Sequence, residues 1–238
     1  MGASRGFRHV ASWLIGLAVS ACLLLPLTAG RAQDHEVDLA LVLAIDCSFS
    51  VDAHEFGLQM RGLAQAFRSE AVKRAIAQGT RQRIAVMAVQ WSDERNQKIV
   101  VPWTVISGDA DADELAEVFT HTQRQLTEGG TSISAALTFS AALFAAAPSA
   151  ERLVIDVSTD GRNNSGPPVS PVRDRVVAEG ITINGLTILN EWPTLNSYFE
   201  ANVAGGPGHF VIPSNDYESY AEAILRKLLR EITGPGIT

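Results

Sequence analysis

Residues 37–50 read VDLALVLAIDCSFS. From Val37 to Ile45 every side chain is apolar except Asp38, near the start. A short unbroken apolar run of this kind predicts a strand covered on both faces, as in the middle of a parallel sheet. Such sheets bind ligands beyond the carboxyl ends of their strands. The residues to watch are therefore those that follow at once, Asp46-Cys47-Ser48-Phe49-Ser50.

Outward from this strand the pattern alternates. Asp52 to Gln78 predicts a helix, with Phe56, Met60, Leu63, Ala64 and Phe67 at three- and four-residue steps and Asp52 as N-cap or first-turn acid. Arg83 to Trp91 predicts a second buried strand and Lys98 to Ile106 a third. Pro102 puts that third strand at an edge, since proline cannot donate to a ladder, and the short polar link Ser92 to Gln97 suggests a hairpin. Helices are expected over Asp111–Leu126 and Ser132–Ala147, with Gly129-Gly130 between them and Pro148 as a stop. Then come a strand at Leu153–Ser158, a glycine- and proline-rich loop from Asp160 to Pro168, and a helix at Pro171–Glu179. A strand at Ile181–Leu189, a helix at Leu195–Val203, a strand at His209–Pro213 and a closing amphipathic helix at Tyr217–Ile232 complete the chain. The expected fold is α/β and doubly wound: a mostly parallel six-stranded sheet, one antiparallel edge strand, helices on both faces.

Composition agrees with a globular chain. Of 238 residues, 46% are hydrophobic and 19% charged. Lys plus Arg number 19 against 26 Asp plus Glu, a net charge of −7, so no basic surface for nucleic acid is expected. Two cysteines exclude a disulfide scaffold and a zinc site built from three or four thiolates, and the five histidines lack H-x-x-x-H spacing.

The first 32 residues carry a secretory signal pattern. Arg5 and Arg8 precede an uncharged run from Val10 to Leu27, Pro26 breaks it, and Gly30-Arg31-Ala32 offers small residues for a cut before Gln33. The expectation is export to the periplasm or beyond, leaving residues 33–238 as one domain with its core at 36–233. Two alternatives stay open: an uncleaved anchor, since the run reaches the lower edge of a span, and lipidation at Cys22 within Val19-Ser20-Ala21-Cys22. Cleavage removes three arginines and no acid, so the mature net charge is −10 and Cys47 is the lone cysteine. Nothing in the mature chain is long and apolar enough to span a membrane.

The chemistry-bearing segments fall at strand ends. Asp46, Ser48 and Ser50 form D-x-S-x-S, three hard oxygen donors that can point one way from an extended turn and suit Mg²⁺, Mn²⁺ or Ca²⁺. The ordinary alternative is that Ser50 or Asp52 caps the next helix. Thr131 follows two glycines at a helix start, where it could equally be an N-cap; Asp160 follows a buried strand, where Asp160-Gly161 could equally be a turn. Trp91 and Asp93 after the second strand, and Asn190 and Trp192 after the fifth, are candidates for a partner surface, unless the tryptophans are simply packed. Asn163 and Asn164 are read as turn residues. Asp156, inside the fourth strand, demands a partner or an exposed position.

These segments resemble the von Willebrand factor A domain, the integrin I-domain-like family, over about residues 36–233. That family carries a metal-ion-dependent adhesion site (MIDAS) with D-x-S-x-S after the first strand, a threonine in a later loop and an aspartate after the fourth strand. Asp46, Ser48, Ser50, Thr131 and Asp160 fill all five positions. The resemblance implies direct ligation by the serines, with Asp46 often acting through water and Thr131 and Asp160 direct or through water. It implies Mg²⁺ or Mn²⁺, with Ca²⁺ less favoured, and a protein partner whose Asp or Glu carboxylate fills the open metal position. The run Gly161-Arg162-Asn163-Asn164-Ser165 departs from the usual pattern and is most similar to an exported bacterial branch of uncharacterised function.

Enzyme readings are weaker. No G-x-G-x-x-G follows the first strand, and neither a P-loop nor a G-x-S-x-G elbow occurs. The alternative is a Mg-dependent phosphatase-like hydrolase using Asp46. Ser48 stands where such enzymes place an acid, and no histidine follows any strand.

Overall fold

The structure is a computed structural model that describes residues 1–2 and 36–234. The expected signal segment, including Cys22, lies outside the described residues apart from Met1 and Gly2. Among the described residues no helix is long and apolar enough to cross a membrane.

The strands are β1 (Val37–Asp46), β2 (Ile84–Trp91), β3 (Gln97–Ile106), β4 (Ala150–Thr159), β5 (Ile181–Ile188) and β6 (Val211–Ser214). They form one sheet in the order β3-β2-β1-β4-β5-β6. All neighbours run parallel except β2 and β3. The helices are α1 (Ala53–Arg68), α2 (Glu70–Ala77), α3 (Asp109–His121), α4 (Ile133–Leu143), α5 (Val169–Ala178), α6 (Leu195–Asn202) and α7 (Tyr220–Thr233). This is the doubly wound architecture of the von Willebrand A fold.

β1 is buried along its whole length. Leu39, Leu41, Leu43 and Ile45 face a core shared with α1, α3 and α7, while Ala44 faces one shared with α4, α5 and α6. That two-residue alternation into two cores is why the strand reads as continuously apolar. The chain steps from β1 outward to β2 and β3, then returns to lay β4 on the other side of β1. The strand order therefore reverses between β1 and β4, whose carboxyl ends open on a common crevice.

Several element ends differ from expectation. The single helix expected over Asp52–Gln78 is two, broken at Ser69, whose backbone turns extended and whose hydroxyl accepts from Val72 N at 3.2 Å. The helix expected to reach Leu126 stops at His121, because residues 122–126 run extended against a buried glutamine. Gln90 donates to Gln123 O at 2.8 Å and accepts from Gln125 N at 2.7 Å. α4 ends at Leu143 in a short 3₁₀ turn over Phe144–Ala146. β4 is longer than expected at both ends and α7 starts at Tyr220. Pro102 sits on the edge strand, where pairing with β2 is irregular.

Candidate metal centre

Asp46 ends β1, and the turn after it carries Ser48 and Ser50 to the start of α1. Asp52 fixes that start through a reciprocal capping box: it accepts from Glu55 N at 2.8 Å, and Glu55 accepts from Asp52 N at 2.8 Å. Asp46 accepts from Ser48 N at 2.7 Å, so the carboxylate folds the turn back on itself. From outside the turn, Arg124 donates to Cys47 O at 3.1 Å and Ser48 O at 3.0 Å. The extended segment pinned by Gln90 is what delivers that arginine.

The side chains of the D-x-S-x-S motif and the β4 end meet. Ser48 Oγ lies 3.3 Å from Ser50 Oγ, and Ser50 Oγ donates to Asp160 Oδ1 at 2.9 Å. Thr159 Oγ1 donates to Asp46 Oδ2, which leaves both oxygens of Asp46 engaged by the protein. Thr131 approaches from the α3–α4 connection: a Cβ built at Gly161, next to Asp160, would lie 3.1 Å from Thr131 Oγ1. The structure thus brings together Asp46, Ser48, Ser50, Thr131 and Asp160, all but Ser50 buried.

Thr131 is held by its neighbours. Its backbone N donates to Asn164 Oδ1 at 2.8 Å, and Asn163 Oδ1 accepts from Ser134 N at 3.1 Å. Asn163 and Asn164 therefore clamp the threonine loop to the aspartate loop as well as shaping their own turn. The approach is close enough to require glycine. A Cβ at Gly130 would fall 2.7 Å from Asn164 Oδ1, and Gly129 has a φ of 114°.

The electrostatics favour a cation. Asp160 is buried with its carboxylate facing the Ser50 and Tyr217 hydroxyls, and neither Asp46 nor Asp160 pairs with a Lys or Arg among the described residues. Burial, with the charge of Asp160 beside it, pushes the Asp46 carboxyl up to about 7. Burial also holds the Asp160 carboxyl above its ordinary range. Two buried acids that resist ionisation are matched by a proton or a metal ion. Among the described residues no three His, Cys, Asp or Glu side chains gather, so the donor set is hydroxyl-rich and hard. Cys47 is buried and its thiol is pushed upward by that burial, which makes it inert.

Ser50 and Thr131 open on a cleft of about 660 Å³ that is also lined by Phe49, Gly129, Gly130, Gly161, Arg162, Asn164, Glu191 and Trp192. Of the expected partner surface, Trp192 is on it and 45% exposed. Asn190 is exposed nearby in the chain. Asp93 is half-buried and spends its carboxylate closing its own turn, accepting from Arg95 N at 2.9 Å and Asn96 Nδ2 at 3.0 Å. Trp91 is a correction: it is fully buried against α4-side residues and offers nothing to a partner. Sequence reasoning missed Thr159, Arg124 and Arg162. Only Arg162 carried a signal, in the departure from the family pattern after Asp160.

A family model described as "Protein of unknown function (DUF1194)" matches residues 36–236. No curated protein matches the chain. Among solved structures, proximal thread matrix protein 1 from the mussel byssus is similar with a TM-score of 0.63 at 16% identity, over 84% of this chain and 49% of that one. The same mussel protein with a zinc-occupied MIDAS motif gives 0.59 at 15% identity, over 84% and 49%. A von Willebrand factor type A structure from Catenulispora acidiphila gives 0.53 at 20% identity, over 82% and 43%. The chain thus spans about half or less of the length of these solved chains, and the likeness shows the fold.

Proposed function

The chain belongs to the DUF1194 family, and from that premise we propose that it is an exported, divalent-cation-dependent protein-binding module. Ser48, Ser50, Thr131 and Asp160 hold the cation, and Asp46 stands one step behind them. The observation that carries this reading is the meeting of Ser48, Ser50 and Asp160 beside two buried carboxylates that no Lys or Arg among the described residues neutralises.

Each residue has a separable task. Ser48 and Ser50 present neutral oxygens, so the only formal charges at the site are the two aspartates. Asp160 supplies buried negative charge behind the Ser50 hydroxyl, which donates to it at 2.9 Å. Asp46, with one oxygen on Ser48 N and the other on Thr159, fixes the angle at which the serine turn presents its hydroxyls. When bound, the cation supplies positive charge and an open coordination position for a partner's Asp or Glu. An acidic chain needs such a bridge to hold an acidic partner. Mg²⁺ or Mn²⁺ suits hydroxyl-rich octahedral coordination. The mussel relative's zinc belongs to that protein, and here zinc is the competing ion to include in a titration.

The same geometry argues against Asp46 as a phosphotransfer nucleophile, since both its oxygens are already hydrogen-bonded and no histidine lines the cleft. Isothermal titration with Mg²⁺ and Mn²⁺ tests the reading. One site per chain is expected, weakened at least about tenfold in Asp160→Ala, as loss of a direct charged donor should. Equal binding by both proteins contradicts it.

A further inference from the structure

We propose that Arg162 forms a second anion subsite in the cleft, so that the partner is an acidic segment presenting two carboxylates, one to the metal position and one to the guanidinium. This rests on the metal reading above and extends it to the partner's chemistry.

Arg162 follows Asp160 by two residues on one loop, and both its neighbour Gly161 and its own side chain line the cleft beside Ser50 and Thr131. Its guanidinium has three neighbours that fix its position. It lies 5.1 Å from the Trp192 ring centroid and 5.4 Å from that of Tyr198, and it donates to Thr194 Oγ1 at 2.7 Å. An arginine held by two aromatic rings and a hydroxyl loses little further freedom when it meets an acid.

The charge of Arg162 is also unspent. Among the described residues it pairs with no carboxylate, and its Nε is buried with no hydrogen-bond partner. The fully buried Lys227, by contrast, is paired with two carboxylates. Glu191 lines the same cleft and makes no ion pair with Arg162 among the described residues. Phe49, 84% exposed, and Trp192 add apolar contact on the rim. A lone cation held rigid beside a metal position, in a chain of net charge −7, matches a diacidic ligand and not a single carboxylate.

The test uses two blocked peptides as probes, acetyl-Gly-Asp-Gly-Gly-amide with one carboxylate and acetyl-Gly-Asp-Gly-Asp-amide with two. Each is titrated into Mg²⁺-saturated protein and followed by calorimetry and tryptophan fluorescence. The two-carboxylate peptide is expected to bind roughly tenfold tighter to the wild type, and that preference to shrink to about twofold in Arg162→Gln. Arg162→Lys should recover only part, since it keeps the charge and loses the stacked plane. An equal preference in wild type and Arg162→Gln, or none in the wild type, overturns the assignment while leaving the metal reading intact. Metal is titrated alone into each protein as well. If Arg162→Gln lowers metal affinity as much as it lowers the peptide preference, Arg162 merely props the loop and the assignment falls. A wild type that takes up no metal removes both readings together.

Discussion

Thr159 is the residue on which the geometry of Asp46 turns. It sits opposite Asp46 because β1 and β4 are paired with Ile45 against Ser158, and its hydroxyl caps the carboxylate from the β4 side. Thr159→Val keeps the shape and removes the donor. We expect metal affinity to fall about tenfold or more, with Thr159→Ser close to wild type, both read by calorimetry. The Asp46 carboxyl, pushed up to about 7, gives a second expectation. The folded metal-free chain holds a proton there between 3.8 and about 7 that the unfolded chain has released. Its stabilising contribution is therefore complete below 3.8 and is lost as pH rises through about 7. Urea unfolding in EDTA should show the wild type gaining stability relative to Asp46→Asn as pH falls from 8 to 5, with a ceiling of about 3 kcal/mol over that range. At this scale the sequence shows the five donors, because motif spacing and strand ends are local properties. It does not show Thr159 or Arg124, whose roles depend on strand register and on where a distant segment is pinned. The two tryptophans divide for the same reason: Trp91 is the last residue of a central strand, whereas Trp192 lies on the loop beyond β5.

Element ends follow from hydrogen bonds that apolar periodicity does not record. Ser69 interrupts an otherwise continuous helical pattern because its hydroxyl satisfies Val72 N and starts α2 afresh, with Glu70 in the first turn. Ser69→Ala should cost about 1 kcal/mol in urea unfolding without changing metal affinity. The odd carboxylate inside β4 finds its explanation on α7. Lys227 Nζ lies 2.7 Å from Asp156 Oδ1 and 2.5 Å from Glu231 Oε1, and Asn184 Nδ2 donates to Glu231 Oε1 at 2.9 Å. All three charged groups are buried, and burial holds the Asp156 carboxyl above its ordinary range. The cluster joins β4 and β5 to the last helix through a buried polar path across that core. Lys227→Met leaves two buried acids facing each other and should cost about 3–5 kcal/mol. Neutralising both acids as well, in Asp156→Asn/Lys227→Met/Glu231→Gln, should recover a large part of that loss, measured by the same unfolding curves. The sequence shows that Asp156 needs a partner. It cannot name Lys227, because the pairing follows from how α7 lies across the sheet.

At the scale of the whole molecule, the reversal of strand order between β1 and β4 gathers the site. Three loops that are far apart in sequence, after β1, before α4 and after β4, end at one rim, and two buried acids are left there without a cation from the protein. The alternation of strands and helices makes this topology legible from the sequence, and the site then follows from which strand ends must be neighbours. Linkage supplies a global readout. Mg²⁺ at about 100 times its dissociation constant should raise the unfolding free energy by about 2.7 kcal/mol, or roughly 5–10 °C in melting temperature for a domain of this size. Asp160→Ala should lose most of that shift. The most direct measurement is anomalous diffraction from crystals of the protein soaked in Mn²⁺. The account predicts one peak within about 2.5 Å of the hydroxyl oxygens of Ser48 and Ser50 and on the cleft side of Asp160. A peak elsewhere, or none at saturating Mn²⁺, contradicts it.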